Sequence, residues 1–262
     1  MTTIHDLAAW KAERHRFAML TAYDFPTAQI LDGAGIPVLL VGDSLAQVVL
    51  GYETTLPVTM EEMLHHCRAV ARGASNALLV GDMPFMSYQA SPEEALHNAG
   101  RFLKEGGMHA VKLEGPLFDL AETMTERGIP VMGHLGLTPQ SVHAMGGYRV
   151  QARSEEGADR LLSDAMSLEK AGVFSLVLEG IPAGVARRVT ELVRVPTIGI
   201  GAGPHCDSQV LVITDVLGLG AGKSPKFAKQ YANLRGEIDR AARAFASEVA
   251  AGSYPDEAHS YS

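Results

Sequence analysis

Eight short apolar runs, separated by stretches of helical periodicity, constrain the fold of this chain more than any other feature of its sequence. The runs are rich in β-branched residues and nearly continuous, which is typical of strands buried on both faces in a parallel sheet. They are FAMLTAYD (17–24), PVLLVGD (37–43), ALLVGD (77–82), HAVKLE (109–114), IPVMGH (129–134), FSLVLE (174–179), PTIGIG (196–201) and VLVITDVLG (210–218). Eight strands that alternate with helices in 262 residues predict an α/β fold, a (β/α)8 TIM barrel, rather than a doubly wound sheet.

The helical stretches carry their own start and stop signals. Met60–Arg72 has apolar residues at helical spacing. Ser91 followed by Pro92 is typical of an N-cap with proline in the first turn, and Gly106-Gly107 ends that helix. Two further helices are predicted over Ser154–Gly172 and Phe227–Ala251.

The composition is even along the chain and contains no internal repeat. We therefore predict a single barrel domain over residues 1–251, followed by a polar, disordered tail, GSYPDEAHSYS, over 252–262. The N-terminal segment MTTIHDLAAWKAERHRF mixes charges among its apolar residues, so no signal peptide is expected. No window approaches 18 uninterrupted apolar residues, so no transmembrane helix is expected either.

The charge and cysteine content narrow the functional class. The 22 Lys and Arg residues against 30 Asp and Glu residues give a net charge of −8. This balance argues against a nucleic-acid binder and favours a soluble, cytoplasmic protein that handles small molecules. Cys67 and Cys206 are the two cysteines and lie far apart, so neither a disulfide framework nor a structural zinc cluster is expected.

Ionisable side chains stand at the ends of five successive apolar runs. They are Asp43, Asp82, Glu114, His134 and Glu179. A buried carboxylate costs several kcal/mol unless it is paired or bound to a metal. Any one of these residues could instead cap a helix or face solvent. Because strand ends of a barrel converge on one mouth, where active sites of this fold lie, the five together predict an active site.

Three of these residues predict a metal site. Asp43, Asp82 and Glu114 offer hard carboxylate oxygens with no cysteine or histidine pair beside them, which suits Mg²⁺ or a similar divalent ion. Mg²⁺ keeps several waters and takes one or two direct carboxylates. We therefore expect one of the three, Glu114, to act through a water.

Lys112 lies two residues before Glu114, so both side chains point to the same face of their strand. A buried lysine there is a candidate Schiff-base nucleophile or a cation that fixes a substrate carboxylate, and a structural ion pair is the alternative. The glycine-rich runs GIGAG (199–203) and GLGAGKS (218–224) lack phosphate-loop spacing. Contact with an anion and simple tight turns both remain open for them.

Nine runs together carry a family resemblance. They are VGDSL (41–45), GYETTLPVTMEEM (51–63), GDMPF (81–85), VKLEG (111–115), PVMGHLGLTPQ (130–140), GGYRVQ (146–151), LEGIP (178–182), TIGIGAG (197–203) and VLVITDVLG (210–218). In order, and over roughly residues 5–235, they closely resemble the 3-methyl-2-oxobutanoate (ketopantoate) hydroxymethyltransferase family. The resemblance implies a (β/α)8 barrel of the phosphoenolpyruvate/pyruvate type, assembled as a homodecamer. It also implies transfer of a one-carbon unit from 5,10-methylenetetrahydrofolate to 3-methyl-2-oxobutanoate, the first step toward pantothenate and coenzyme A.

The resemblance also assigns roles to residues. It implies metal binding by Asp43, Asp82 and Glu114, and a general base at Glu179. The keto-acid contacts that it implies are Asp43, Ser44, Asp82 and Lys112, with His134 nearby. The chain departs from the family pattern at Ser208 and Ala152, where glycine is usual and where we expect loops, and PKFAKQY (225–231) matches loosely.

Three competing functions share parts of this pattern. A class I aldolase would use Lys112 as a Schiff base without a metal, and a metal-dependent carbon–carbon lyase would share the metal site without folate. A non-catalytic metal-binding or scaffold protein would keep the barrel and lack the base. For the transferase, the paired glycines of GGYRVQ (146–151) predict a lid over the mouth.

Overall fold

The computed structural model describes residues 1–220, 222 and 225–261. Part of the GLGAGKS run, namely Ala221, Lys223 and Ser224, therefore lies outside the described residues, and the two interpretations of that run stay open. The chain divides into two compact units, Met1–Val212 and Ile213–Ser262. The single domain over 1–251 and the disordered tail remain predictions.

The first unit is a closed barrel of eight parallel strands, in which each strand pairs with the next and β8 pairs with β1. The strands are β1 (Phe17–Thr21), β2 (Val38–Val41), β3 (Leu78–Asp82), β4 (Ala110–Glu114), β5 (Val131–Gly136), β6 (Ser175–Glu179), β7 (Thr197–Ile200) and β8 (Ser208–Leu211). The predicted (β/α)8 architecture is confirmed, and all eight runs contribute a strand.

One helix of the first unit precedes β1, the others follow β1 to β6, and the described chain between β7 and β8 contains no helix. The helices are α1 (Ile4–Ala12), α2 (Phe25–Gly33), α3 (Leu45–Val48), α4 (Met60–Gly73), α5 (Pro92–Lys104), α6 (Phe118–Glu126), α7 (Glu155–Lys170) and α8 (Ala183–Leu192). A 3₁₀ turn, Pro139–Ser141, follows β5. The capping side chains of Ser91 and Ser154 accept the backbone N–H groups of Glu94 and Gly157, so the predicted starts of α5 and α7 are confirmed.

The barrel interior is apolar at its amino end and polar at its carboxyl end. Met19, Leu40 and Val80 belong to the buried apolar cluster, and α1 packs against that cluster through Leu7 and Trp10. Burial of this cluster is the main contribution of the interior to stability. The polar side chains near the carboxyl ends of the strands therefore lie next to this buried apolar cluster.

The last predicted strand is partly wrong. Of the run 210–218, only Val210 and Leu211 lie in β8, which begins earlier, at Ser208. Ile213–Val216 forms a short helix, α9, and the Leu217 N–H donates to the Ile213 carbonyl at 2.9 Å. A continuous apolar run has no periodicity that separates a strand from a buried helical turn, which explains the error.

The second unit contains α9, α10 (Leu234–Ala251) and a 3₁₀ turn, Glu257–His259. The prediction that the last helix begins at Phe227 is wrong by seven residues, because Asn233 caps its start by accepting the Gly236 N–H.

None of the helices in the described part of the chain combines the length and the apolar character that a membrane span requires.

Candidate active site

The mouth of the barrel brings together the five predicted ionisable side chains. Asp82, Glu114 and Glu179 are the last residues of β3, β4 and β6. Asp43 follows the end of β2 by two residues, and His134 lies within β5, which continues to Gly136 instead of ending at the histidine. All are buried except Glu179, whose side chain is 18% exposed.

Lys112 lies among these acids and is fully enclosed. Its Nζ is 2.6 Å from Asp82 Oδ1 and 3.8 Å from Glu114 Oε1. Burial alone would lower the pKa of Lys112, but the charges of Asp82, Glu114 and Asp43 outweigh burial and raise the pKa above its usual value. A lysine held in its cationic form is a poor nucleophile, so this geometry favours charge compensation over Schiff-base formation.

Asp43 is buried among like charges. Burial, and then the charges of Asp82 and Glu114, raise the pKa of Asp43 well above its ordinary value. Its backbone N–H donates to Asp82 Oδ2 at 3.2 Å, and its Oδ2 accepts the side-chain amide of Gln140 at 3.0 Å. A nearby cation would relieve the repulsion that this side chain experiences.

Glu114 has two differently occupied oxygens. Its Oε2 accepts the Gln140 backbone N–H at 3.0 Å, whereas the buried Oε1 has no hydrogen-bond partner of good geometry among the described residues. Although burial raises the pKa of Glu114, interaction with His134 and the charge of Lys112 lower it overall. Glu114 Oε1 therefore lies in the mouth beside Lys112 Nζ and His134 Nδ1, at 3.8 Å and 3.5 Å.

His134 connects the acid cluster to Glu179. Its Nδ1 lies 3.5 Å from Glu114 Oε1, and its Nε2 lies 3.3 Å from Glu179 Oε2. Burial and the charge of Lys112 lower the pKa of His134, but its contacts with the two glutamates outweigh them and raise it to about 9. The ring is therefore suited to hold a proton between the two carboxylates at neutral pH.

The donor set fits a divalent cation. The three carboxylates supply hard oxygens, one of which, Glu114 Oε1, is buried without a hydrogen-bond partner. Among the described residues, no three His, Cys, Asp or Glu side chains are already arranged as a metal cage. Mg²⁺ does not require such a cage, because it keeps several waters and takes one or two direct carboxylates.

Ser44 and its neighbours form one side of the mouth. Ser44 immediately precedes α3, and its hydroxyl lies 2.9 Å from the hydroxyl of Tyr23. His66 Nδ1 of α4 lies 2.6 Å from the Tyr23 carbonyl, so a hydrogen bond to α4 holds the backbone at Tyr23 in place. Tyr23 is a site residue that sequence reasoning missed, and it follows the end of β1 by two residues, as Asp43 follows the end of β2.

Gln140 and Tyr88 are two further site residues that sequence reasoning missed. Both are buried, and Gln140 contacts Asp43 and Glu114 directly. Each lies in a loop after a strand that carries a predicted site residue, and Gln140 ends the run PVMGHLGLTPQ. A search for neutral polar residues after each strand, in addition to ionisable residues, would have identified Gln140 and Tyr88.

The two departures from the family pattern lie in different surroundings. Ser208 is the first residue of β8 and buried, so its predicted place in a loop is wrong. The strand reaches back to pair this residue with Phe17 of β1. Ala152 does lie in a loop and adopts φ 53°, a left-handed conformation that favours glycine.

A family model decides which of the competing barrels this one is. The model described as ketopantoate hydroxymethyltransferase matches residues 1–257. The chain belongs to the ketopantoate hydroxymethyltransferase family. Membership in this family confirms the resemblance carried by the nine runs.

Curated members of the family are similar to this chain over nearly its full length. The 3-methyl-2-oxobutanoate hydroxymethyltransferase of Thermobifida fusca is 58% identical over 261 residues, which cover 99% of this chain and 93% of that protein. The enzyme of the same name from Syntrophus aciditrophicus is 55% identical over 253 residues, covering 96% and 93%. These similarities confirm the prediction that the chain is a hydroxymethyltransferase of this family.

Solved structures share the barrel at much lower identity. Phosphonopyruvate hydrolase in complex with oxalate and Mg²⁺ matches with a TM-score of 0.65 and 13% identity, covering 100% of this chain and 92% of that one. A 2,3-dimethylmalate lyase of the PEP mutase/isocitrate lyase superfamily matches with a TM-score of 0.60 and 16% identity, covering 98% and 91%. At this level of identity, the matches show that this member of the ketopantoate hydroxymethyltransferase family shares the barrel fold with these enzymes.

Proposed function

We propose that the barrel mouth transfers a one-carbon unit from 5,10-methylenetetrahydrofolate to C3 of 3-methyl-2-oxobutanoate, giving 2-dehydropantoate (ketopantoate). The observation that carries this proposal is the buried cluster of Lys112 with Asp43, Asp82 and Glu114, which His134 connects to Glu179 through a 3.3 Å contact. Family membership supplies the reaction. The cluster supplies the groups that an enolate mechanism needs, namely cationic side chains near the developing negative charge and a carboxylate base.

A divalent ion, Mg²⁺ in our proposal, would be held by Asp43 and Asp82, with Glu114 acting directly or through a water. When bound, it would supply a positive charge to the 2-oxo oxygen as negative charge develops there. Phosphonopyruvate hydrolase, a structure of the same fold, was solved with oxalate and Mg²⁺. That structure concerns another protein, and for this chain the support is the hard-oxygen donor set.

The keto acid would be oriented by the remaining polar groups of the mouth. We assign Lys112 to compensating substrate charge, because its ammonium group is already held among the acids. The Ser44 hydroxyl, fixed by Tyr23, is positioned to hold the substrate carboxylate from the β2 side. Asp43, Asp82 and His134 complete the proposed contacts.

Glu179 is the proposed general base that removes the C3 proton. It is the least buried acid of the cluster, which leaves its carboxylate accessible to a substrate in the mouth. His134, 3.3 Å away, would orient the Glu179 carboxylate and connect it to Glu114. The resulting enolate would then bond to the methylene carbon carried by folate. Water would supply the hydroxyl group as the bond from that carbon to the folate nitrogen breaks and tetrahydrofolate leaves.

The pterin would lie over the mouth, covered by the segment 146–151. Tyr148 of this segment is about half exposed, and its pKa is raised by burial and by the charges of Asp43 and Glu179, with a hydrogen bond to Gln47 opposing the shift. The charges of these two acids therefore act on the tyrosine. This interaction supports the proposal that the segment acts as a lid.

A metal-dependent carbon–carbon lyase is the second candidate, because 2,3-dimethylmalate lyase shares the fold. Formation of ketopantoate, assayed with and without methylenetetrahydrofolate and Mg²⁺, separates the two functions. The transferase requires both additions. Cleavage of a 2-hydroxy acid without folate, and no ketopantoate formed, would support the lyase instead.

We further propose a homo-oligomer, a decamer, located in the cytoplasm and bound to neither nucleic acid nor membrane. The net charge of −8 supports the absence of nucleic acid, and the two free, buried cysteines are consistent with a reducing compartment. Sedimentation should show an assembly larger than a dimer. A species near the 27.9 kDa of one chain would contradict the proposed assembly.

A further inference from the structure

Gln140 touches more of the acid cluster than any role described above requires. It lies in the 3₁₀ turn after β5 and is only 5% exposed. A buried amide in such a place must satisfy two donors and an acceptor, and every partner it takes is part of, or adjacent to, the proposed metal site.

The nitrogen side of the Gln140 amide holds Asp43. Nε2 donates to Asp43 Oδ2 at 3.0 Å and to the Met83 carbonyl at 2.9 Å, which uses both of its hydrogens. No described residue donates a hydrogen bond to the other oxygen, Asp43 Oδ1. The carboxylate plane is therefore fixed, with one oxygen engaged and the other available.

The oxygen side of the amide is held just as firmly. Gln140 Oε1 accepts the Tyr88 hydroxyl at 2.6 Å and the Gln89 side-chain amide at 3.2 Å. The Tyr88 hydroxyl itself accepts the Glu114 backbone N–H at 3.3 Å, so its proton is free for Gln140. Only the orientation with nitrogen toward Asp43 satisfies all of these partners.

The backbone of Gln140 also engages one oxygen of the Glu114 carboxylate. Its N–H donates to Glu114 Oε2 at 3.0 Å, while Oε1 points toward His134 Nδ1 and Lys112 Nζ. One residue thus engages a single oxygen on each of two acids that come from different strands. Asp43 is left with one oxygen that no described residue engages, whereas Glu114 Oε1 lies 3.5 Å from His134 Nδ1 and 3.8 Å from Lys112 Nζ.

We propose that Gln140 is a positioning residue that makes Asp43 a one-oxygen ligand and so selects small octahedral cations over Ca²⁺. Ca²⁺ uses bidentate carboxylates and flexible geometry with 6–8 ligands at about 2.3–2.6 Å, whereas Mg²⁺ demands compact octahedral geometry at about 2.0–2.1 Å. The inference rests on the proposed metal site and adds to it the reason for its ion preference.

Calorimetric titration of the full-length protein with MgCl₂ and with CaCl₂ tests this inference. Gln140→Met keeps the volume and removes the amide, and Gln140→Glu keeps the shape and removes the donor to Asp43. Loss of a residue that orients a metal ligand typically costs about 10–100-fold in metal affinity. We expect a loss of this size for Mg²⁺, a much smaller change for Ca²⁺, and therefore a lower Mg²⁺/Ca²⁺ affinity ratio in both variants.

Gln29→Glu, on the exposed face of α2, is the matched control and should leave the ratio unchanged. Tyr88→Phe removes only the hydroxyl that anchors Oε1, and it should lower the ratio in the same direction if the Gln140 variants fail to fold. Equal losses for both cations, or an unchanged ratio, would overturn the role of Gln140 while the metal site stands. A wild-type protein that binds neither cation would contradict the proposed metal site itself.

Discussion

Lys112 Nζ lies 2.6 Å from Asp82 Oδ1 at the mouth of the barrel, and neither side chain is more than 4% exposed. The two residues stand opposite each other on neighbouring strands, β4 and β3. A buried ion pair of this kind is costly to break from one side, because the remaining charge is left uncompensated in a poorly solvated place. The pair therefore links the stability of the barrel to its chemistry.

Lys112→Met should destabilise the protein by about 3–5 kcal/mol at neutral pH, because Asp82 loses its partner. Urea unfolding measures this loss, and Lys104→Met, on an exposed helix end, is the control. The double variant Lys112→Met/Asp82→Asn should recover part of the stability, since it removes both charges. A single variant as stable as wild type would show that the pair contributes little.

Asp43→Ala and Asp82→Ala should lose Mg²⁺ binding, because each removes a hard oxygen ligand from a site with few others. Calorimetry measures the affinity, with Asp119→Asn, exposed on α6, as the control. Since burial and the neighbouring charges raise the pKa of Asp43, we also expect the Mg²⁺ affinity to fall as the pH is lowered, because protons then compete with the cation for this carboxylate. Unchanged affinity in both variants would exclude these ligands.

The stability of the metal-free protein should fall as the pH rises from 6.5 toward 9, because the pKa of His134 is raised from 6.5 to about 9 in the fold. A group with a raised pKa stabilises the fold fully below its unfolded value and loses that contribution as pH passes the folded value. The loss should be at most roughly 3 kcal/mol. In His134→Gln, urea unfolding across this range should show a flatter profile. Parallel profiles in the two proteins would contradict a raised pKa.

The sequence allowed prediction of the features that depend on local pattern. Continuous apolar runs placed eight strands, and the shared position of Asp82, Glu114 and Glu179 at strand ends placed them at one mouth. The links between strands were not predictable in this way. Gln140 contacts Asp43, which lies 97 residues away in the sequence, and Glu114, which lies 26 residues away. A neutral amide adds nothing to the charge pattern of the sequence, so the pattern could not predict these contacts.

Gly136→Ala should destabilise the protein and reduce activity together. Gly136 adopts φ 95°, and a Cβ there would lie 2.3 Å from the Glu179 carbonyl, so β5 and β6 must separate beside the proposed base. We expect a cost of about 1–3 kcal/mol. Gly184→Ala, in α8 with open space around it, is the control and should be neutral or slightly stabilising. Thermal unfolding compares the two, and equal melting temperatures would contradict the strain.

Glu179→Gln separates a catalyst from a metal-binding barrel. The replacement keeps the shape of the side chain and its contact with His134 but removes the proton acceptor. Metal and keto-acid binding should therefore survive, since the acids on β3 and β4 and the one that follows β2 are unchanged. Removal of the C3 proton should slow by about 10²–10⁴, the usual contribution of a positioned general base.

Deuterium exchange at C3 of 3-methyl-2-oxobutanoate, followed by NMR without folate, isolates this proton transfer from the carbon transfer that follows it. Glu191→Gln, an exposed glutamate at the end of α8, controls for the loss of one carboxylate and should exchange at the wild-type rate. Wild-type exchange in Glu179→Gln would show that another group is the base, and His134, 3.3 Å away, would be the next candidate. Equal loss of binding and exchange would instead make Glu179 a residue that holds the substrate.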